Sequence, residues 1–127
     1  GHWLEMGKNI PNPPKIFHVN WFRTDADGHF IWPGFGDNMR VLLWILARCE
    51  GKVDARETAI GYVPYAKDIN IEGLDITEDT VNELLSVDNE AWLADVENIK
   101  EFYDMIGGTV PCELREELSA LKARLSK

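Results

Sequence analysis

The apolar side chains before residue 33 follow a strand-like pattern, whereas those after residue 37 recur at helical spacing. Residues 16–23 are rich in β-branched and aromatic side chains and are apolar on both faces, which predicts a buried strand. Residues 24–28 end in Gly28, which is free to adopt a positive φ and predicts a turn. Residues 29–32 then predict a short second strand. The first third of the chain is therefore expected to contain a β-hairpin.

Helical segments are predicted on both sides of this hairpin. Residues 1–9 are interpreted as the end of a helix that Gly7 stops, and residues 10–15 as a proline-rich extended linker. A longer helix is predicted from about Asn38 to Glu50, with Gly51 beyond its end. Its apolar positions at helical spacing are Val41, Leu42, Ile45, Leu46 and Cys49.

The middle of the chain gives short, mixed signals, and the last third is helical. Residues 58–65 favour a short strand that Pro64 confines to a sheet edge or ends, and β-like stubs are predicted at 69–71 and Leu74. Thr77 is expected to cap one helix and Asp88 the next. Gly107-Gly108 is expected to end the helix that Asp88 caps, and the final helix is expected to open near Pro111. The apolar stripe of the first of these helices contains Trp92, Val96, Ile99, Tyr103 and Ile106, and that of the final helix contains Leu114, Leu118, Leu121 and Leu125.

These elements predict an α+β segment with short strands in a hairpin in its first half and a helix-rich C-terminal half. Residues 1–76 are expected to hold the hairpin, an aromatic pocket motif and a helix, and residues 77–127 to be helical. The last two helices are expected to pack antiparallel through their stripes, with acidic faces outward.

Composition restricts the partners that the chain can bind. The formal net charge is −9 over 127 residues, and all of it comes from residues 72–127. Because nucleic-acid binding depends on dense Lys and Arg on one face, this balance argues against it. No apolar run approaches the length of a membrane span, and no signal peptide is visible. Cys49 and Cys112 fit no metal or disulfide pattern, so they are interpreted as packed, reduced thiols in a cytoplasmic protein.

The candidate chemistry lies in residues 29–38, which combine aromatic rings with glycines just before the first long helix. Gly34 and Gly36 permit backbone geometries that a Cβ forbids and leave Phe35 poorly covered. Aromatic residues at such positions lie in the hydrophobic core about three times in four. Phe30 and Phe35 could instead flank a slot for a planar ring, with Asn38 offering a donor and an acceptor to the ring edge.

Other catalytic and metal patterns are absent from the sequence. Asp25, Asp27 and Gly28 resemble part of a calcium loop, but Arg23 and Gly34 occupy positions where ligands are required. No Gly-Lys-Ser/Thr phosphate loop, nucleophile triad or pair of acid-base carboxylates stands out. The residues alone therefore predict an aromatic slot for a planar ring and no group that could bind a triphosphate.

A family resemblance extends this interpretation. Residues 15–23 and 30–38 resemble the C-terminal part of GTP-dependent phosphoenolpyruvate carboxykinase, as do residues 60–64 and 111–114. The family usually has Glu where Asp37 stands here. The resemblance covers nearly the whole chain, and family members are several times longer. It therefore implies a fragment of a larger α/β enzyme.

The resemblance also implies a function for the aromatic motif. Such enzymes interconvert oxaloacetate and phosphoenolpyruvate with carbon dioxide, using GTP and GDP, in gluconeogenesis. Residues that match Phe22, Phe30 and Phe35 enclose the guanine, and the match to Asn38 hydrogen-bonds its edge. The implied nucleotide-binding set in this chain is Phe22, Phe30, Phe35, Gly36, Asp37 and Asn38.

The family's phosphate loop, its manganese or magnesium ligands and its substrate arginines lie upstream of the matching region. No catalytic residue and no metal ligand is therefore assigned to this chain, and the chain alone is expected to be inactive. Its expected partners are a guanine nucleotide and the missing N-terminal part of the enzyme, with self-association through exposed apolar faces. The alternative is a non-catalytic module that binds a protein through its aromatic surface.

Overall fold

A computed structural model describes residues 1–127, which divide into two compact units. The helical unit contains residues 1–14, 58–61 and 87–127. The aromatic unit contains residues 15–57 and 62–86. The boundary expected between residues 76 and 77 falls inside the aromatic unit. None of the helices combines the length and the hydropathy that a membrane span requires.

The secondary structure consists of helices, a small hairpin and three short 3-10 turns. The helices and strands are α1 (His2–Asn9), α2 (Asn38–Cys49), β1 (Arg56–Thr58), β2 (Gly61–Val63), α3 (Glu78–Leu84), α4 (Asn89–Ile106) and α5 (Cys112–Leu125). The 3-10 turns are Phe35–Asp37, Ala66–Asp68 and Gly107–Thr109. The predicted α+β class with a helix-rich C-terminal half is confirmed.

The strands predicted at 16–23 and 29–32 are wrong, although the turn between them is confirmed. Gly28 has a φ of +83°, and the pairing is a single antiparallel bridge between Thr24 and Phe30. Apolar residues on both faces suggested a buried strand, but Ile16 is 87% exposed and no neighbouring strand pairs with this segment. The apolar residues of this segment divide between core contacts, made by Phe17 and Trp21, and exposed positions such as Ile16 and Phe22.

Several helix limits differ from the sequence prediction. Gly7 does not stop α1, which continues to Asn9 and ends where Ile10 is extended before Pro11. This follows because a residue before proline is disfavoured in helical geometry. The prediction for α2 is confirmed to within one residue, and Gly51 beyond it has a φ of +71°. Positive φ there suits glycine at a helix C-terminus.

The core of the aromatic unit forms around two buried indoles. Its buried members are Trp32, Trp44, Ala66, Ile69 and Val81. Phe17 packs against this cluster, with its ring edge-on to Trp44 at a centroid distance of 6.3 Å. The predicted stubs at 69–71 and Leu74 are not strands, since Ile69 follows a 3-10 turn and points into the core instead of pairing.

The strand prediction at 58–65 is confirmed in part, because β2 lies within it. β1 and β2 form a two-stranded sheet whose connection ends at Gly61, which has a φ of +124°. The Thr58 hydroxyl donates to the Gly61 carbonyl at 2.6 Å, which closes the turn. Three-residue strands of this kind form a hairpin and no larger sheet.

The predicted helix caps are confirmed. The Thr77 hydroxyl accepts from the Thr80 amide at 3.3 Å at the start of α3. The Asp88 carboxylate accepts from the amides of Glu90 and Ala91 at 3.0 and 3.1 Å at the start of α4. Each cap satisfies amides that a helix start otherwise leaves without partners.

The antiparallel packing of α4 and α5 within the helical unit is confirmed. The Asn89 amide donates to the Leu125 carbonyl at 3.3 Å, so the start of α4 lies beside the end of α5. At the other end, Arg115 donates to the carbonyls of Tyr103 and Gly107 at 3.1 and 3.2 Å. Val96 is the buried member of the α4 stripe, and Leu125 is buried on α5.

Two predictions about burial are wrong. Ile106 and Leu114 belong to the predicted stripes but are 44% and 36% exposed, because they lie where α4 and α5 are joined. Cys49 and Cys112 are also exposed, so their thiols are free but do not pack. Cys49 ends α2 and Cys112 begins α5, and helix ends offer less cover than helix centres.

Candidate functional site

Phe22 and Phe30 form the only contact between two of the predicted base-binding rings. Their centroids lie 5.8 Å apart at an interplanar angle of 63°, an edge-to-face arrangement. The bridge between Thr24 and Phe30 sets this register, and the Ile31 amide donates to the Arg23 carbonyl at 3.0 Å. Phe22 and Phe30 are nevertheless 70% and 64% exposed, so their ring faces remain available.

Arg23 fixes the backbone next to Phe22. Its guanidinium donates to the carbonyls of Leu84 and Ser86 at 3.1 and 3.3 Å and to the Ser86 hydroxyl at 2.9 Å. These acceptors lie at the C-terminal end of α3, where carbonyls lack helical partners and a cation is favourable. No local sequence signal predicts this anchor, because Arg23 and its acceptors are more than 60 residues apart in the chain.

Phe35 stands apart from the other two rings. It opens the 3-10 turn before α2, is 92% exposed and pairs with no other aromatic ring. Gly34 before it has a φ of +132°, which confirms that this position needs a glycine. Gly36 does not have a positive φ, and a Cβ there would meet no atom within 4 Å, so its expected special geometry is wrong.

Asp37 occupies the N-cap position of α2, but its carboxylate makes no capping hydrogen bond. It accepts instead from the Arg40 guanidinium at 3.0 Å. Arg40 also donates to the carbonyls of Asn70 and Glu72 at 2.8 and 3.0 Å. The negative charge of Asp37 at this helix start is therefore paired. The spacing of three residues between Asp37 and Arg40 is the sequence signal that could have predicted this ion pair.

Asn38 is held by a buried indole. The Trp32 Nε1–H donates to Asn38 Oδ1 at 2.9 Å, and Trp32 is only 6% exposed. Trp21 packs beside Trp32 with ring centroids 6.3 Å apart. The amide that was expected to contact a base edge is thus attached to the core of the aromatic unit. Trp32 was not among the residues predicted for the site from the sequence.

Exposed aromatic rings of this kind can stack on a planar ligand, and a side-chain amide can hydrogen-bond a ring edge. The three phenylalanines are large apolar side chains in water, although such side chains are usually buried. A flat ligand stacked on these rings would remove that apolar area from water, and each stack would stabilise binding by about 1–3 kcal/mol. The structure pairs Phe22 with Phe30, whereas Phe35 makes no contact with another aromatic ring.

Two other features of the chain do not coincide with these residues. A depression of about 510 Å³ is lined by residues 66–72 and Glu78, and none of the six predicted residues lines it. The ligand atoms of Asp25, Asp27 and His29 lie within 4.8 Å of one another, all exposed.

The Asp25 carboxylate closes a turn, which accounts for the position of this cluster without a metal. Its Oδ1 accepts from the backbone amides of Asp27 and His29, both at 2.9 Å. The His29 amide is the main cause that lowers the pKa of Asp25. Hydrogen bonds of this kind are those of an Asx turn, and no metal is assigned to it.

Comparisons with known proteins agree with the motifs. A family model described as "Phosphoenolpyruvate carboxykinase C-terminal P-loop domain" matches residues 1–124. The chain belongs to this family. It is 50% identical over 126 residues to phosphoenolpyruvate carboxykinase [GTP] of Renibacterium salmoninarum and 48% identical over 128 residues to that of Treponema pallidum. A third relative, from Anaeromyxobacter dehalogenans, is 44% identical over 124 residues.

The match covers nearly all of this chain but a small part of each relative. It includes 98% of this chain and 21% of each of these carboxykinases. The chain therefore spans about a fifth of the length of the curated relatives it matches. Although the family model is named for a P-loop, residues 1–127 contain no Gly-Lys-Ser/Thr phosphate loop.

Proposed function

We propose that this chain is the guanine-binding part of a GTP-dependent phosphoenolpyruvate carboxykinase. The parent enzyme would convert oxaloacetate and GTP to phosphoenolpyruvate, GDP and carbon dioxide, as a cytoplasmic enzyme of gluconeogenesis. The observation that carries the proposal is the exposure of Phe22, Phe30 and Phe35 at 70%, 64% and 92%, in the same motif as Asn38. The name of the relatives, phosphoenolpyruvate carboxykinase [GTP], adds GTP as the nucleotide.

The energetics of these groups favour weak binding of the base alone. Two ring stacks contribute about 1–3 kcal/mol each, and one edge hydrogen bond adds about 0.5–1.5 kcal/mol. Loss of ligand freedom opposes binding by several kcal/mol. We therefore expect a dissociation constant for GDP on the order of millimolar or weaker.

In this proposal, groups other than the six predicted base-binding residues hold the phosphates and the metal. A divalent ion, manganese or magnesium in this proposal, would neutralise charge on the phosphates and on the developing enolate. We assign no metal to the exposed acidic cluster at Asp25, whose carboxylate closes a turn. Gly36 and Asp37 contribute backbone beside the base, and the Asp37–Arg40 pair limits repulsion of a nearby phosphate.

An apolar stripe on α2 is the surface that we expect the rest of the parent enzyme to cover. Met39, Leu42, Leu43 and Leu46 are 55%, 41%, 57% and 57% exposed. They recur at helical spacing on α2, beside the buried Trp44. In the isolated chain this stripe favours self-association. Light scattering at rising concentration tests this, and a monomer at every concentration would contradict it.

The alternative function is a non-catalytic module that binds a protein through the same aromatic surface. It is favoured only by the exposure of the rings, which both functions explain. The two functions differ in their response to a nucleotide. GDP should perturb Phe22, Phe30 and Phe35 if they bind guanine, and should perturb none of them if they bind a protein.

The experiment combines an activity assay with a binding titration of the purified chain. We expect no GTP-dependent formation of phosphoenolpyruvate above background, because no residue is assigned to hold the metal or orient oxaloacetate. GDP should bind weakly, as followed by tryptophan fluorescence. Turnover, or micromolar GDP binding, would show that the phosphate site has been misplaced. Phe35→Leu should weaken binding, whereas Ile16→Leu, at an exposed position outside the set, should not.

A further inference from the structure

The orientation of the Asn38 amide is determined by the chemistry of its partner. An indole N–H can donate a hydrogen bond but cannot accept one. Since Trp32 Nε1 lies 2.9 Å from the Asn38 side chain, the oxygen of that amide must face the indole. Reversing the amide would set two donors against each other and leave the indole N–H, on a side chain that is 6% exposed, without an acceptor.

This orientation leaves a donor available for a ligand. Asn38 Nδ2 carries two hydrogens and makes no hydrogen bond within the chain, whereas Oδ1 is engaged by Trp32. The edges of the two purines differ in what they offer to such a donor. Guanine carries an acceptor oxygen at its six-position, whereas adenine carries a donor amino group there. An amide held in this sense attracts guanine and opposes adenine.

We propose that Trp32 is a positioning residue that sets the preference for guanine over adenine by holding the Asn38 amide in one orientation. Trp32 does not touch the nucleotide in this proposal and acts only through Asn38. The inference rests on the proposed base site, because Asn38 must face a bound base for its orientation to matter. It adds a residue and a cause of specificity to that site.

The chain provides a matched control for Trp32. Trp44 belongs to the same core cluster and is 5% exposed, but its Nε1 has no hydrogen-bond partner. Trp32→Phe removes the indole N–H that holds Asn38, while Trp44→Phe removes an N–H that bonds nothing. Both substitutions shorten a buried aromatic side chain. Only the first should therefore change base selectivity.

The test is an NMR titration of the full chain and both variants with GDP and with ADP. The GDP-to-ADP preference should fall by about threefold to tenfold in Trp32→Phe, the value of one hydrogen bond, and stay unchanged in Trp44→Phe. A purely structural role of Trp32 would weaken both nucleotides equally, and that result would overturn the inference. So would a preference that Trp32→Phe leaves intact.

A second probe works on the unsubstituted chain and covers the case in which Trp32→Phe does not fold. Inosine diphosphate keeps the oxygen at the six-position of guanine but lacks its 2-amino group. We expect it to bind like GDP and more tightly than ADP. Binding equal to that of ADP would overturn the donor role of Asn38 while leaving a guanine site in place. If the chain binds GDP and ADP equally, the proposed function fails as well.

Discussion

Truncation of Leu125 tests how the helical unit is held together. Leu125 is 3% exposed at the end of α5, while Leu114 at the start of the same helix is 36% exposed. Leu125→Ala removes three carbons from the core, at about 0.8 kcal/mol each, and leaves a cavity. We expect the free energy of unfolding to fall by about 3 kcal/mol. The position in the last helical turn allows some collapse, which keeps the value near the lower end of the usual range.

Leu114→Ala is the matched control, since it makes the same chemical change on the same helix. Its side chain is already partly in water, so we expect a loss of about 1 kcal/mol. Urea unfolding followed by far-ultraviolet circular dichroism measures both values, because α4 and α5 dominate the helical signal. If Leu125→Ala cost no more than Leu114→Ala, the assignment of the core between α4 and α5 would be refuted.

Two further predictions concern the base site and an ion pair in the helical unit. Asn38→Ala should weaken GDP binding several-fold to about tenfold, with a smaller effect on ADP; equal losses in a calorimetric titration would show that Asn38 has only a structural role. The Lys8 ammonium, 2.7 Å from Glu113, is the main cause that lowers the pKa of that carboxyl from 4.5 to about 2. The stabilisation from this pair should be complete above pH 4.5 and lost as the pH falls towards 2. A carbon NMR titration should show a low midpoint that rises in Lys8→Ala, and a midpoint near 4.5 in the unsubstituted chain would contradict the contact.

The helical parts of the fold could be predicted from sequence because their signals are local. Thr77 and Asp88 lie next to the amides that they cap, and Gly107 lies at the residue where the helix must end. The strand prediction at residues 16–23 failed for a different reason. A strand needs a neighbour, and apolar composition alone does not show whether a neighbour exists.

The candidate site, like the fold, was predictable only where its signals are local in the sequence. The motif around Phe35 and Asn38 was visible because its glycines and rings are adjacent in sequence. The anchors of the motif were not visible, since Arg23 binds carbonyls at the C-terminal end of α3 and Arg40 binds the carbonyls of residues 70 and 72. The hydrogen bond from Trp32 to Asn38 spans six residues and required the turn at Gly34 to be known.

The most direct test of the base site is an NMR map of the chain during a titration with GDP. We predict that the ring signals of Phe22, Phe30 and Phe35 and the side-chain amide of Asn38 shift together, with a midpoint on the order of millimolar. ADP at the same concentrations should produce smaller shifts. If GDP leaves these signals unchanged, or moves those of residues 66–72 around the depression instead, the guanine site is not where we propose.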